Sequence, residues 1–374
     1  MLKITNAKIV TETDIIPHGW VTIENGKIVE IGTGSAEGDI DAHGLTLMPG
    51  FIDVHVHGGN NLEAMDGTPE ALKGLSAFYA KHGVTSFLPT TWTAPPQPII
   101  HALKAIAEWM NQPLDGATIL GAHVEGPYIS PKKPGAQNPG DIRPADAAEF
   151  GQWLATDAVK LITLAPEVPE NRAIIQPCVD HNITVSAGHT DATFDEMQAA
   201  QGITQTTHTF NAMRPLHHRD PGTVGAAMLN PDIRCELIVD GVHVHPQMVK
   251  LLYQIKGADH IILITDAVRG AGLPMGTQYL QDGRTVTVTN SAYLDDGTLA
   301  GSTLTMEVAV RNFHQFTGCS LVDVAKCASL NPARAIRVAD QKGSITPGKD
   351  ADLILVDDDF NIHMTMVGGR VISN

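Results

Sequence analysis

The chain has 374 residues, 43% of them hydrophobic and 18% charged. That is enough apolar mass for one large α/β barrel or two to three ordinary domains, and too much for a disordered chain. Its formal charge of −16 repels nucleic-acid backbones and anionic membrane surfaces, so neither is an expected partner, while a small anionic substrate needs only a local basic spot. The four cysteines, Cys178, Cys235, Cys319 and Cys327, form no CxxC pair, which argues against a zinc ribbon or a disulfide scaffold and fits a reducing cytoplasm.

The opening segment MLKITNAKIV alternates like a strand and lacks the apolar core of a signal peptide, so an untargeted cytoplasmic protein is expected. Residues 1–49 read as antiparallel β structure, with Asn25-Gly26 as a hairpin turn. From residue 51 the texture changes to apolar runs with helical stretches between most of them, the pattern of βα units around a parallel sheet. Eight runs stand out: 51–57, 84–90, 118–126, 159–167, 183–189, 204–211, 235–243 and 260–267. Eight closes a barrel. The stretches PEALKGLSAFYAKHG and QPIIHALKAIAEWMNQ read as the helices after the first and second runs, and Thr190 and Asp191 as N-caps of the helix after the fifth. Residues 278–300 interrupt the alternation as a small β insertion before helices resume in TLTMEVAVRNFHQFTG and LVDVAKCASLNPARAI. The last segment returns to strands, whose apolar face is buried most simply against the amino-terminal strands. The expected fold is a (β/α)8 TIM-type barrel over residues 50–339, with a discontinuous β-sandwich built from residues 1–49 and 340–374.

In such a barrel the chemistry lies where strands end. The runs place His55 and His57, His123 and Glu125, His189, His208, Asp240 and His243, and Asp266 there. Period-two geometry puts His55 and His57 on the same side of their strand. Any one of these alone reads as a satisfied buried side chain or a solvated loop carboxylate. Together, imidazoles and carboxylates at six of eight strand ends suit Zn²⁺ or Fe²⁺. Glu125, His189 and His208 are assigned to one metal, and His55 with His57 to a possible second, giving one or two ions per chain. His123 is assigned a structural role and His243 a substrate-binding one. Asp266 has no adjacent histidine, and the Gly-Pro-rich sequence after it does not start a helix, so it is assigned as the catalytic carboxylate. Two Arg and two His between Arg214 and Pro221 read either as an exposed loop or as a phosphate-binding spot.

The segments PGFIDVHVHGG, HVEGPY, LAPE, SAGHTDAT, THTFNAM, HHRDPG, DGVHVHP, LITDA, LAGSTLTM, NPARAI and GSITPGKDADLILVD resemble, in order and over nearly the whole chain, those of the amidohydrolase superfamily. Within it they resemble the N-acetylglucosamine-6-phosphate and N-acetylgalactosamine-6-phosphate deacetylases. The resemblance implies removal of acetate from the 2-acetamido group of a hexosamine 6-phosphate, with Glu125, His189 and His208 on the metal and Asp266 as acid/base. It further implies that Asn211, Ala212, His243 and Arg219 hold the sugar phosphate, that Arg219 does so across a homodimer interface, and that the Leu304 region closes over the substrate. Where some members carry a histidine that polarises the acetamide oxygen, this chain offers Gln137. A cyclic-amide hydrolase of the dihydropyrimidinase type shares the HxH strand but bridges two metals with a lysine at the end of strand four. Here Lys160 lies at the beginning of that run. An inactive barrel used as a scaffold would be expected to lack several ligands, and none is missing.

Overall fold

The computed structural model describes residues 1–372. The eight runs are eight parallel strands in chain order: Phe51–Val56, Val84–Thr91, Thr118–Ile119 continuing as Ala122–Glu125, Val159–Leu164, Thr184–Ala187, Ile203–Thr206, Arg234–Ile238 and Ile261–Ile264. The third is broken at Gly121, whose φ of 145° lies outside the range L side chains adopt readily. The ring closes between first and last strands through a parallel bridge of Val56 with Ala267. The Asp266 N–H donates to the His55 carbonyl at 2.9 Å and the His57 N–H to the Ala267 carbonyl at 2.8 Å. Strands buried on both faces explain the unbroken apolar runs, as in Ile261–Ile264, where all four residues are buried.

The predicted helices form at Pro69–Lys81 and Pro96–Trp109, each with proline in its first turn, where the missing N–H costs nothing. The helix after the fifth strand, Phe194–Ala199, corrects the sequence reading: its N-cap is Thr193, whose hydroxyl accepts the Glu196 N–H while Glu196 accepts the Thr193 N–H. Thr190 and Asp191 instead donate to the Glu167 carboxylate, at 2.5 Å from the Thr190 hydroxyl and 2.7 Å from the Asp191 N–H. Thr193 with Glu196 and the pair Thr190-Asp191 both fit the cap pattern in sequence, and only the path of the chain selects between them. Thr193→Ala should lower stability by about 1 kcal/mol, read as a fall in the urea midpoint at unchanged slope.

Both chain ends join one eight-stranded sheet. Thr46–Pro49 pairs antiparallel with Leu353–Val356, and parallel with Leu2–Val10. Asn25 and Gly26 turn the hairpin between Ile15–Glu24 and Lys27–Thr33, both at positive φ (50° and 77°), as a type I′ turn requires. Ile4, Ile9, Val21, Ile28, Leu47, Leu353 and Met366 form this sheet's own buried cluster, each contributing about 1.5–3 kcal/mol by leaving water.

The insertion is a three-stranded antiparallel sheet, Gln278–Gln281, Arg284–Val288 and Ala292–Leu294, with a small core of Val268, Tyr279, Val286, Val288 and Leu294. Arg284 Nη2 donates to the Ala136 carbonyl at 2.6 Å, tying the insertion to the loop that carries Gln137.

Candidate active site

Five strand ends deliver the chemistry, and three do so through strained backbone. His189, His208 and Asp266 each lie two residues past a strand, at φ of 45°, 30° and 50°. Left-handed conformations of this kind are uncommon for side-chain-bearing residues and concentrate where function holds them. Here they turn the three side chains back over the barrel mouth. Glu125 is the last residue of the third strand, and His55 and His57 flank the end of the first.

Two groups of donors result. In one, Glu125 Oε1 lies 3.2 Å from His189 Nε2 and 3.0 Å from His208 Nε2, and the two nitrogens are 3.1 Å apart. In the other, His55 and His57 Nε2 are 3.3 Å apart, and Asp266 Oδ1 lies 3.4 Å from the first and 3.3 Å from the second. Glu125 joins the groups, since its Oε1 is 3.5 Å from His55 Nε2 and its Oε2 3.4 Å from His57 Nε2. All six residues are buried.

Electrostatically this is a seat for positive charge. Burial by itself would lower an imidazole pKa, yet the carboxylates of Asp266 and Glu125 outweigh it and hold His57 up to about 10, and Glu125 holds His208 up to about 9. Burial pushes the carboxyls of Glu125 and Asp266 the other way, and the facing imidazoles overcome it, so both lie below the usual carboxylate range. Two carboxylates and four imidazole nitrogens converging at these separations fit divalent Zn²⁺ or Fe²⁺ in donor type and number. The groups sit at the base of a cavity of about 230 Å³ lined also by Trp92, Gln137, Asn211, Ala212, His243 and Gln281.

The other sequence assignments divide. His123 bridges the Val54 carbonyl (3.1 Å) and the Thr163 hydroxyl (2.7 Å) below the site, as expected for a structural residue, and burial drives its pKa well down. Gln137, Asn211, Ala212 and His243 line the cavity. His243 Nδ1 lies 2.6 Å from Asp240 Oδ2. Leu304, in contrast, is buried in the barrel core, and the cavity wall on that side is made by residues 298–301, just before it. Arg219 lies on an exposed loop with its Nη1 2.9 Å from His218 Nε2. Arg214 from the same segment is taken up by Asp220 and Asp191. Lys160, the second residue of the fourth strand, reaches the Asp157 carbonyl at 3.5 Å, away from the donors.

Three features were missed. Gln281 and residues 298–301 form a wall that only the folding of the insertion reveals. Glu236 and Asp53 are buried carboxylates within apolar strands, and the acids inside CELIVDG and FIDVHVH carry that signal away from the strand ends. Burial raises the Asp53 carboxyl to about 7, where it accepts from the Thr265 hydroxyl at 2.6 Å.

The Amidohydrolase family model matches residues 46–372. The N-acetylglucosamine-6-phosphate deacetylase of Bacillus subtilis (strain 168) is 41% identical over 384 residues, covering 99% of this chain and 96% of the relative. The N-acetylgalactosamine-6-phosphate deacetylase of Escherichia coli O157:H7 is 38% identical over 332 residues, covering 87% and 88%. Among solved structures, the N-acetyl-D-glucosamine-6-phosphate deacetylase of Mycobacterium smegmatis, determined as a mutant in complex with N-acetyl-D-glucosamine-6-phosphate, has a TM-score of 0.94 at 31% identity, covering 100% of this chain and 99% of that one. With the barrel, the converging donors and a match over most of its length, the chain belongs to the amidohydrolase family.

Proposed function

We propose that the chain hydrolyses the acetamide of N-acetyl-D-glucosamine 6-phosphate, giving acetate and the amino sugar 6-phosphate. The observation that carries this is Asp266, an ionised carboxylate at the base of the same cavity as two groups of metal donors, in a family with relatives named for that activity.

When bound, a divalent ion at Glu125, His189 and His208, with a second at His55 and His57, supplies Lewis acidity and lowers the pKa of water towards about 7. Asp266 takes the proton of the attacking water, then returns it to the 2-amino nitrogen as the C–N bond breaks, one carboxylate serving as base and then acid. Gln137 is oriented for the carbonyl oxygen. Its Oε1 accepts the Thr93 N–H at 2.8 Å, so its NH₂ points inward, with one hydrogen given to Glu125 Oε2 at 2.5 Å and the other free to donate. His243 donates from Nδ1 to Asp240, leaving Nε2 for a sugar oxygen, and the backbone at Asn211 and Ala212 serves the phosphate end. The cyclic-amide reading is disfavoured by the position of Lys160, and the scaffold reading by the complete donor set.

Arg219 is assigned to the phosphate in the partner's site of a homodimer, consistent with its exposure here. Arg219→Ala should raise KM for the 6-phosphate far more than for the unphosphorylated sugar, because the charge-assisted contact exists only with phosphate. Co-expressing Arg219→Ala and Asp266→Asn chains should restore about a quarter of wild-type activity. Half of randomly paired dimers are mixed, and each mixed dimer holds one intact site of two. Activity no higher than that of the separate mutants would place Arg219 in its own chain's site. Kinetics on the gluco and galacto 6-phosphates and on both free sugars tests the substrate: absence of turnover on the gluco 6-phosphate would overturn the proposal.

A further inference from the structure

Glu236 lies in the middle of the seventh barrel strand, Arg234–Ile238, fully buried beneath the cavity. A carboxylate inside an apolar strand is costly unless its oxygens are taken up, and three donors meet this one. Gln205 Nε2 donates to Oε1 at 2.5 Å, the His208 backbone N–H donates to Oε2 at 3.2 Å, and His55 Nδ1 lies 3.0 Å from Oε2. A carboxylate only accepts, so the hydrogen of that last contact sits on His55 Nδ1.

The consequence falls on the opposite side of the ring. A neutral imidazole carries one N–H, and with it fixed at Nδ1 the lone pair is fixed at Nε2, the atom that faces Asp266, His57 and Glu125. His123 packs edge-on against the His55 ring, with centroids 4.5 Å apart at 76°, and holds its plane. His57 and His189 obtain the same arrangement from main-chain carbonyls: Nδ1 lies 3.2 Å from the Thr90 oxygen in one and 3.0 Å from the Lys133 oxygen in the other. Among these histidines, His55 takes its orientation from a side chain, and a side chain can be replaced.

We propose that Glu236 is a positioning residue that fixes the His55 tautomer for the second ion. This rests on the reading that His55 and His57 hold an ion. Outer partners of metal-binding histidines typically change metal affinity by about 10- to 100-fold.

The test measures zinc binding to the purified protein, stripped and then titrated, with no assay of turnover. Glu236→Met keeps the volume and removes the acceptor, and should weaken the second zinc by about 10- to 100-fold while the first stays bound. Glu236→Gln is the rescue: its carbonyl can face His55 while its amide faces Gln205, whose Oε1 is buried without a partner and can accept after a flip. It should recover most of the second-site affinity, which a role in packing alone or in bare charge would not predict. Unchanged zinc binding in Glu236→Met, equal loss of both ions, no recovery in Glu236→Gln, or a single zinc per wild-type chain would each overturn the proposal. Should Glu236→Met fail to fold, nitrogen NMR of the zinc-loaded wild-type protein decides, with the His55 signals identified by their loss in His55→Gln. Protonated Nδ1 with metal-bound Nε2 is expected, and the reverse overturns it. Zinc binding is independent of which amide the protein cleaves, so failure of the deacetylase reading would show separately, in the kinetics.

Discussion

Replacing Asp266 by Asn should lower kcat on N-acetyl-D-glucosamine 6-phosphate by at least about 10²-fold, with kcat/KM falling alongside it. The carboxylate is buried, which raises its pKa, but the imidazoles of His55 and His57 reverse that and keep it ionised. It is therefore ready to accept a proton at neutral pH, and the amide of Asn has the same shape without that capacity. The ion held by Glu125, His189 and His208 should remain, since Asp266 stands outside that group. Metal content at that site and single-turnover kinetics read the two effects separately. Substantial turnover with the metal retained would remove Asp266 from the role of acid and base.

Glu125→Gln should have the broadest effect, because one carboxylate faces both donor groups. Its Oε1 is the common neighbour of His55, His189 and His208, and its Oε2 meets His57 and Gln137. The neutral amide is a poor metal donor, and it leaves four imidazoles facing one another with a single carboxylate between them. Both ions should be lost and activity should fall to background. The thermal midpoint should also cease to respond to added chelator, because a ligand that no longer binds the native state no longer stabilises it. A stoichiometric complement of metal in this variant would overturn the joining role of Glu125.

Much of this was legible before folding. The repeated alternation of apolar runs with helical stretches pointed to a parallel sheet, because strands buried on both faces are mostly apolar. Eight such runs dictated closure. The rule that barrels act at strand ends then selected His55, His57, Glu125, His189, His208 and Asp266 without any knowledge of distance. His243, read as substrate-binding from its strand end, and Gln137, Asn211 and Ala212, which the resemblance brought forward, also reached the cavity.

The remainder depended on where distant segments meet. Thr190-Asp191 and Thr193 are equally good caps by residue type, and Glu167, 24 residues before Asp191, took the first pair. Leu304 and residues 298–301 belong to one short stretch, but the insertion turns the latter toward the cavity and leaves Leu304 in the core. Residue type alone said which side chains could carry charge, donate to a metal or accept a proton, and period-two geometry put His55 and His57 on the same side of their strand. Folding added the positions: Glu125 stands between two histidine pairs, His189, His208 and Asp266 turn inward through left-handed backbone, and Glu236, 181 residues from His55, meets its ring. These are consequences of barrel closure, which brings strand ends within a few ångströms regardless of their separation along the chain.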